Sequence, residues 1–350
     1  MQPSADFALP SLDLRELGRR ALLPAAAGAV AAGALIVAGG PMQAFADAIG
    51  RAVEADPRWV AAAAVFEVLS FAGYIALLWL VAGRATPRMG ARESVQVTLG
   101  GAAATRLLPT AGVGGAALTL WALRRTGMGS RPAGRTLLTF LVLLYAVFLG
   151  AIAFSGGVLA IEGAGPTTLA AVPAAAAGLA ILVALGLGVR TPRGSSRVHT
   201  AAGLLGESVR DAIRLLGSRD ARLLGAVAWW AFDAAVLGAM LMAFGAAPSL
   251  LVFVLAYFVG QAGNTVPIPG AVSGGIVGVL LAFGVDADVA LVSVLGYRCV
   301  AIWLPAPIGL AALTGLRRTT ARWAHEDGRP QLRVVETPLV AAPAPRAIAA

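Results

Sequence analysis

Four ionisable residues stand inside long apolar runs of the sequence: Glu67, Arg106, Asp233 and Arg298. A charge at the centre of a lipid bilayer costs roughly 2.5–3.5 kcal/mol or more, so such residues normally face a cavity or a partner. Two acids and two arginines could neutralise each other as structural ion pairs. Alternatively, the guanidinium groups could bind a lipid phosphate, while the carboxylates bind a headgroup amine or a proton.

Two segments rich in proline and glycine hold the other candidate residues. Arg106 stands three residues before Pro109, and a new half-helix is predicted to begin within 112–115. A helix N-terminus presents free N–H groups and a positive dipole end, which bind phosphate. Segment 264–270 predicts the same geometry, and helix termination in a packed hairpin is the alternative for this second segment. The candidate cavity residues are Glu67, Arg106, Pro109, Gly112, Gly114, Gly115, Asp233, Asn264, Pro267, Pro269, Gly270, Gly274, Gly275 and Arg298.

The composition indicates that lipid, not water, surrounds most of the chain. Of the 350 residues, 58% are hydrophobic and 13% are charged, whereas soluble domains carry about 25% charged residues. All 27 basic residues are arginine, which excludes a phosphate-binding P-loop lysine and a Schiff-base lysine. The lone Cys299 excludes an intramolecular disulfide and a cysteine metal cluster. We predict no catalytic centre, cofactor, metal site or nucleic-acid partner.

Six apolar stretches are long enough to cross ~30 Å of hydrocarbon as helices. They cover 21–39, 59–82, 136–161, 168–189, 223–245 and 287–316. Two further stretches, 94–123 and 250–284, are interrupted by proline and glycine. The sequence therefore predicts an all-α integral membrane protein with six full transmembrane helices and two broken segments.

The distribution of arginine predicts the orientation, because cytoplasmic loops are enriched in basic residues. With both termini in the cytoplasm of a bacterial inner membrane, 23 of the 27 arginines lie inside. This solution requires each broken stretch to enter and leave on the same side. Segment 95–108 would be only ~21 Å long as a helix. We therefore expect two oppositely oriented re-entrant hairpins, with pairs of short full spans as the alternative.

The two broken stretches resemble each other at a shift of 160 residues. The matching pairs are Gly100 and Gly260, Thr105 and Thr265, Pro109 and Pro269, Ala111 and Ala271, Gly114 and Gly274, and Gly115 and Gly275. Their flanking spans repeat too, which predicts inverted repeats over 59–161 and 223–316 within one domain, 21–318. An amphipathic cytoplasmic segment, 197–222, links the repeats, either at the lipid surface or as a solvated connection. Residues 1–20 form a cytoplasmic N-terminal segment, and 319–350 form a tail predicted to be disordered.

A family resemblance rests on short motifs in a fixed order. They are Asp56-Pro57-Arg58-Trp59, Leu108-Pro109 with Gly114-Gly115, Trp230 with Asp233, Pro267-Ile268-Pro269-Gly270, and Arg298 with Trp303 and Gly309. Over about 14–318 the chain resembles the flippase-type transmembrane domain of lysylphosphatidylglycerol synthases. It departs from the family's second-hairpin pattern at Ala271 and Ser273, which replace glycine, and at Ile276, which replaces glutamate.

The resemblance implies lipid handling without lysyl transfer, since the soluble aminoacyl-transferase domain is absent. It suggests a flippase or scramblase-like transporter of anionic or aminoacylated phospholipid. The alternatives are a non-transporting scaffold for a lipid-modifying or cell-envelope enzyme, and a transporter of a small solute or polyprenyl-linked sugar. A homo-oligomer or a separate lipid-modifying enzyme are the expected protein partners.

Overall fold

A computed structural model describes residues 55–107, 113–190, 196–265 and 270–328. Within these ranges, four residues are described by their backbone alone: Arg106, Leu107, Val113 and Arg197. Several sequence predictions lie outside the described residues: the segment 1–20, the span 21–39, the tail beyond 328, and the candidate residues Pro109, Gly112, Pro267 and Pro269.

Every regular element in the described ranges is a helix, which confirms the predicted all-helical class. The α-helices are α1 Pro57–Ala85, α2 Ala91–Leu107, α3 Val113–Arg125, α4 Ser130–Glu162, α5 Thr167–Val189, α6 Arg197–Gly217, α7 Leu224–Ala243, α8 Leu250–Ala262, α9 Ala271–Ala282, α10 Ala287–Trp303 and α11 Pro305–Asp327. Single 3₁₀ turns occupy Ala221–Leu223 and Gly263–Thr265.

Five stretches are long and apolar enough to cross a membrane. They are Pro57–Ala85, Ser130–Glu162, Thr167–Val189, Ala221–Ala243 and Ala287–Asp327. They confirm five of the six predicted spans, and the sixth lies outside the described residues. Pro305 divides the last stretch into α10 and α11, because proline removes a helical hydrogen bond and clashes with the preceding turn.

The antiparallel pair α1 and α7 forms the centre of the molecule. Ser70 Oγ donates to the Trp229 carbonyl at 2.9 Å. Gly73 and Gly225 allow the two backbones to touch, since a Cβ on Gly225 would lie 2.2 Å from the Gly73 carbonyl oxygen. At one end of the pair the Asp56 N–H donates to the Ala243 carbonyl. Residues from the start of α1 and the end of α7 therefore share one end of the bundle.

The first broken stretch forms a hairpin of α2 and α3. The Gly115 N–H donates to Thr105 Oγ1 at 2.7 Å, and that hydroxyl donates to the Gly101 carbonyl at 2.9 Å. At the base of the hairpin, Arg88 Nη1 lies 3.4 Å from the Thr126 carbonyl oxygen. One hydrogen bond therefore joins the chain before the hairpin to the chain after it, so both ends of this hairpin lie together.

The second broken stretch forms a hairpin of α8 and α9. Its halves meet at Gly260 and Gly275, where a Cβ on Gly275 would lie 3.0 Å from the Gly260 Cα. This hairpin follows the end of α7, which lies beside the start of α1, whereas the first hairpin follows the end of α1. The two hairpins therefore begin at opposite ends of the central pair. The first packs on α11 through α2, and the second packs on α4 through α8.

Two peripheral elements complete the described fold. Helix α6 packs on α4 and α5. Arg135 on α4 binds Asp211 on α6, with a shortest N–O distance of 2.5 Å. Helix α11 continues to Asp327, so residues 319–327 are helical rather than part of a disordered tail. Trp323 and Thr319 explain the difference because both are buried, and Thr319 Oγ1 donates to Gln96 Oε1 on α2 at 2.9 Å.

Candidate functional site

Asp233 lies at the centre of a buried polar cluster between α7, α8 and α10. It retains 5% of its surface exposed. Its Oδ2 accepts hydrogen bonds from the Tyr257 hydroxyl, from the Tyr297 hydroxyl at 2.9 Å and from Gln261 Nε2 at 3.3 Å. Two helices, α8 and α10, thus direct three donors at one carboxylate oxygen of α7, which satisfies a group that apolar surroundings would otherwise destabilise.

The cluster extends from Asp233 to the tip of the second hairpin. Gln261 Nε2 donates to the Tyr297 hydroxyl oxygen at 2.6 Å, and Asn264 Nδ2 donates to Gln261 Oε1 at 2.9 Å. Asn264 is exposed, whereas Gln261 is buried. The donors therefore form one directed chain from an exposed amide to a buried carboxylate, and such chains polarise one another. We call Asp233, Tyr257, Gln261, Asn264 and Tyr297 the Asp233 network.

Glu67 lies at the same level of the central helix pair as Asp233. Ser70 contacts Trp229, and the rings of Phe66 and Phe232 stack with centroids 6.0 Å apart. Glu67 and Asp233 each directly follow one of the two stacked rings, so the acids lie within about one helical turn of each other along the pair. Glu67 is 1% exposed and acts electrostatically on Tyr297. The structure therefore gathers both predicted intramembrane acids around one buried tyrosine.

Arg298 occupies the edge of the same region, next to the second hairpin. Its Nε donates to Ser273 Oγ on α9 at 3.1 Å. Within the described residues its Nη groups donate no hydrogen bond and Arg298 forms no salt bridge. Gly274 follows Ser273, and a Cβ at Gly274 would meet no atom within 4 Å. The half-buried guanidinium is therefore held through Nε by a residue of α9 that directly precedes an open position of that helix.

The remaining candidate residues separate into packing and tip positions. Gly115 and Gly275 lie where the half-helices of their hairpins touch, so their described role is close packing. Gly114 lies in the first turn of α3. Gly270 precedes α9 with φ 83°, a left-handed conformation that favours glycine. The backbone of Arg106 belongs to the last turn of α2.

Sequence reasoning missed Tyr257, Gln261, Tyr297 and Ser273, because it searched for charges. Tyr257 and Gln261 lie four residues apart on one helix, and Tyr297 precedes Arg298 directly. That spacing places two polar side chains of an otherwise apolar helix on one face. The sequence could have indicated Tyr257 and Gln261 through this spacing.

A second set of charges lies at the end of the bundle where α1 finishes and α7 begins. Arg84 and Arg222 both contact Asp220, and hydrogen bonds from Arg222 hold the pKa of Asp220 well below its usual range. Arg131 binds Glu207 at 2.8 Å, and Arg135 binds Asp211. Segments 84–92, 124–135 and 190–222, all rich in arginine, therefore meet at one end of the structure.

The described residues contain no group of three or more histidine, cysteine or acidic side chains that could hold a metal ion. The site instead combines buried hydrogen-bonding groups, two acids and an arginine inside a helical bundle.

These features define a polytopic helical membrane protein with a polar cluster in its interior. The family described as Lysylphosphatidylglycerol synthase TM region matches residues 17–309. The chain belongs to this family, as its motifs predicted. No curated protein matches the chain.

Proposed function

We propose that this protein moves a phospholipid or lipid-linked headgroup across the membrane as a flippase or scramblase-like transporter. The headgroup crosses through a polar path between the hairpin tips, while the acyl chains stay in the bilayer. The observation that carries the proposal is the Asp233 network, which runs from a buried carboxylate to an exposed amide at a hairpin tip. Polar and ionisable groups inside membrane bundles normally mark such paths.

Arg298 suits the role of a phosphate contact. Because Ser273 holds only its Nε, the Nη pair can offer a phosphate two parallel N–H donors. The open space beside Gly274 leaves room for a headgroup. Arg106, on the last turn of α2, is proposed as the equivalent contact at the first hairpin. The tip residues of both hairpins, Pro109, Gly112, Pro267 and Pro269 among them, would line the path.

The proposed topology has two re-entrant hairpins of opposite orientation within an inverted repeat. Helices α3 and α8 have 13 residues each and α9 has 12, which corresponds to ~18–20 Å, less than the ~30 Å hydrocarbon core. The arginine-rich segments that meet at one end of the bundle support a common cytoplasmic side. Both termini would then be cytoplasmic in a bacterial inner membrane.

We propose transport rather than chemical modification of the lipid, with anionic or aminoacylated phospholipid as the substrate class. A homo-oligomer or a separate lipid-modifying enzyme would be the protein partner.

Reconstitution in proteoliposomes tests the proposal. Translocation of fluorescent lipids with anionic, zwitterionic and aminoacylated headgroups would be compared for the wild type, Arg298→Ala, Arg106→Ala and Arg318→Ala. Arg318 is exposed on α11, so its variant controls for the loss of one positive charge. We expect at least a tenfold lower rate for the first two variants, corresponding to about 1.4 kcal/mol, and a wild-type rate for the control. A folded wild type no faster than protein-free vesicles would contradict transport and favour the scaffold.

A further inference from the structure

We propose that Asp233 is a proton-binding site and that its protonation drives the transport step. The coupling to transport rests on the function proposed above, whereas proton binding itself does not.

The two oxygens of the Asp233 carboxyl group have different environments. Oδ2 accepts from Tyr257, Tyr297 and Gln261, whereas Oδ1 accepts from no described residue. A proton can therefore add to Oδ1 without displacing any of these three donors. The carboxylate becomes a neutral carboxylic acid, and Oδ2 remains the acceptor of the network.

The carboxyl group is buried, with 5% of its surface exposed, and three donors converge on it. A proton that binds at Oδ1 is therefore held inside the helical bundle.

The charged and titratable neighbours of Asp233 lie on three of the helices around it. Glu67 lies on α1, Tyr257 lies on α8, and Tyr297 and Arg298 lie on α10. In the proposed function, a lipid phosphate at Arg298 would add a negative charge to this region.

Protonation at Asp233 changes the hydrogen bonds that reach the hairpin tip. Hydrogen bonds to a charged acceptor are roughly twice as strong as those to a neutral one. When the carboxylate is neutralised, the bonds from Tyr297 and Gln261 weaken, and the Asn264 amide joins the network through Gln261. The proton thus loosens the connection between the core and the second hairpin. Such a change provides a physical route from proton uptake to movement of the tip.

Infrared difference spectroscopy of the reconstituted protein tests proton binding without any transport assay. We expect a carboxylic C=O band that appears as the pH is lowered and is lost in Asp233→Asn. The band should persist in Glu67→Gln. In Tyr297→Phe the band should shift to higher frequency, because the acid loses a hydrogen-bond donor. Since this variant retains the Asp233 carboxyl group, it can assign the band even if the Asp233→Asn protein does not fold. Absence of a titrating band in the wild type, or its loss in Glu67→Gln instead, would overturn the assignment.

Transport under an imposed pH gradient tests the coupling. At one proton per lipid, one pH unit can sustain a leaflet ratio of up to about tenfold, so the wild type should accumulate lipid in one leaflet only under the gradient. Lipid movement that ignores the gradient, or follows a sodium gradient instead, would overturn coupling and leave the transport proposal intact. A titrating Asp233 band without any lipid movement would contradict the transport proposal and retain the proton site.

Discussion

At the scale of single residues, Asp233 is distinguished by the number of partners that depend on it. Tyr257, Tyr297 and Gln261 all donate to its Oδ2. A buried donor that loses its acceptor costs about 1–3 kcal/mol. The carboxyl group is therefore a structural acceptor as well as a candidate functional group, and stability measurements can separate these roles.

We predict that Asp233→Ala lowers the free energy of unfolding by about 2–5 kcal/mol, because it leaves buried donors unsatisfied. Asp233→Asn keeps one acceptor oxygen and should cost much less. Thermal unfolding in detergent would measure both. Adding Tyr257→Phe to Asp233→Ala should recover part of the loss, since the orphaned hydroxyl is removed. An Asp233→Ala protein as stable as the wild type would contradict the network as described.

The sequence alone identified Asp233 but not the network around it. A charge in an apolar run is visible because the cost of burying it is large. Its partners Tyr257 and Tyr297 lie 24 and 64 residues away, and only packing of three helices brings them together. The glycines at 115 and 275 were likewise visible as a repeated pattern. Their position between half-helices required the structure.

At the scale of helices, span positions were predictable and their mutual packing was not. Five spans followed from the length and hydrophobicity of apolar runs, because the bilayer thickness sets a minimum helix length. The extension of α11 beyond residue 318 was missed because the apolar run that predicted the last span ends at 316. Trp323 and Thr319 are buried against the rest of the bundle, and that packing is invisible in a one-dimensional hydrophobicity pattern.

We predict that Gly73→Ala destabilises the α1–α7 pair by about 1–3 kcal/mol, the usual cost of overpacking. The new Cβ would lie 2.8 Å from Ala228 Cβ and from the Gly225 carbonyl oxygen. Gly178→Ala on α5 is the matched control, because its Cβ would meet no atom within 4 Å. The control should be neutral or slightly stabilising, since alanine is the better helix former. Thermal unfolding in detergent measures both variants, and equal melting temperatures would contradict the close helix contact.

The ion pair between Asp220 and Arg222, at the end of the bundle where α1 finishes and α7 begins, predicts that stability depends on pH. The Arg222 hydrogen bonds lower the pKa of Asp220 in the folded protein. The resulting stability is therefore fully present above the unfolded pKa of about 3.9 and is lost as the pH falls toward the folded pKa. Asp220→Asn should melt at a lower temperature than the wild type at pH 7, and the difference should shrink on acidification below that range. A difference that is constant across the acid range would contradict the interaction.

At the scale of the whole molecule, the hairpins begin at opposite ends of the central helix pair. Arg88 contacts the Thr126 carbonyl across the base of the first hairpin, and the second follows the α7 end beside Asp56. In the proposed topology, hairpins that begin at opposite ends would reach toward the interior from opposite sides, an arrangement by which several transporter folds build a central site.

Single cysteines test this arrangement in membranes. In a Cys299→Ala background, we expect Ala91→Cys and Ser130→Cys to react only from the cytoplasmic side. Ala247→Cys and Ala287→Cys should react only from the opposite side. All four positions are exposed and flank the two hairpins. Labelling of Ala91→Cys and Ser130→Cys from different sides would show that the first broken stretch crosses the membrane once and would contradict the topology.

If lipid moves past the second hairpin, as we propose, a bulky group attached to that hairpin should block transport. Gly274→Cys, in the Cys299→Ala background, places a thiol one residue after Ser273, the contact of Arg298, at a position where a Cβ meets no atom within 4 Å. Gly150→Cys on α4 is the control, since its Cβ also meets no atom within 4 Å. Lipid translocation would be measured before and after treatment with a charged thiol reagent. We expect that the Gly274→Cys protein reacts with the reagent and loses lipid translocation, while the Gly150→Cys protein keeps it. An unreactive Gly274→Cys, or full translocation after complete modification, would contradict a hydrated lipid path at this hairpin.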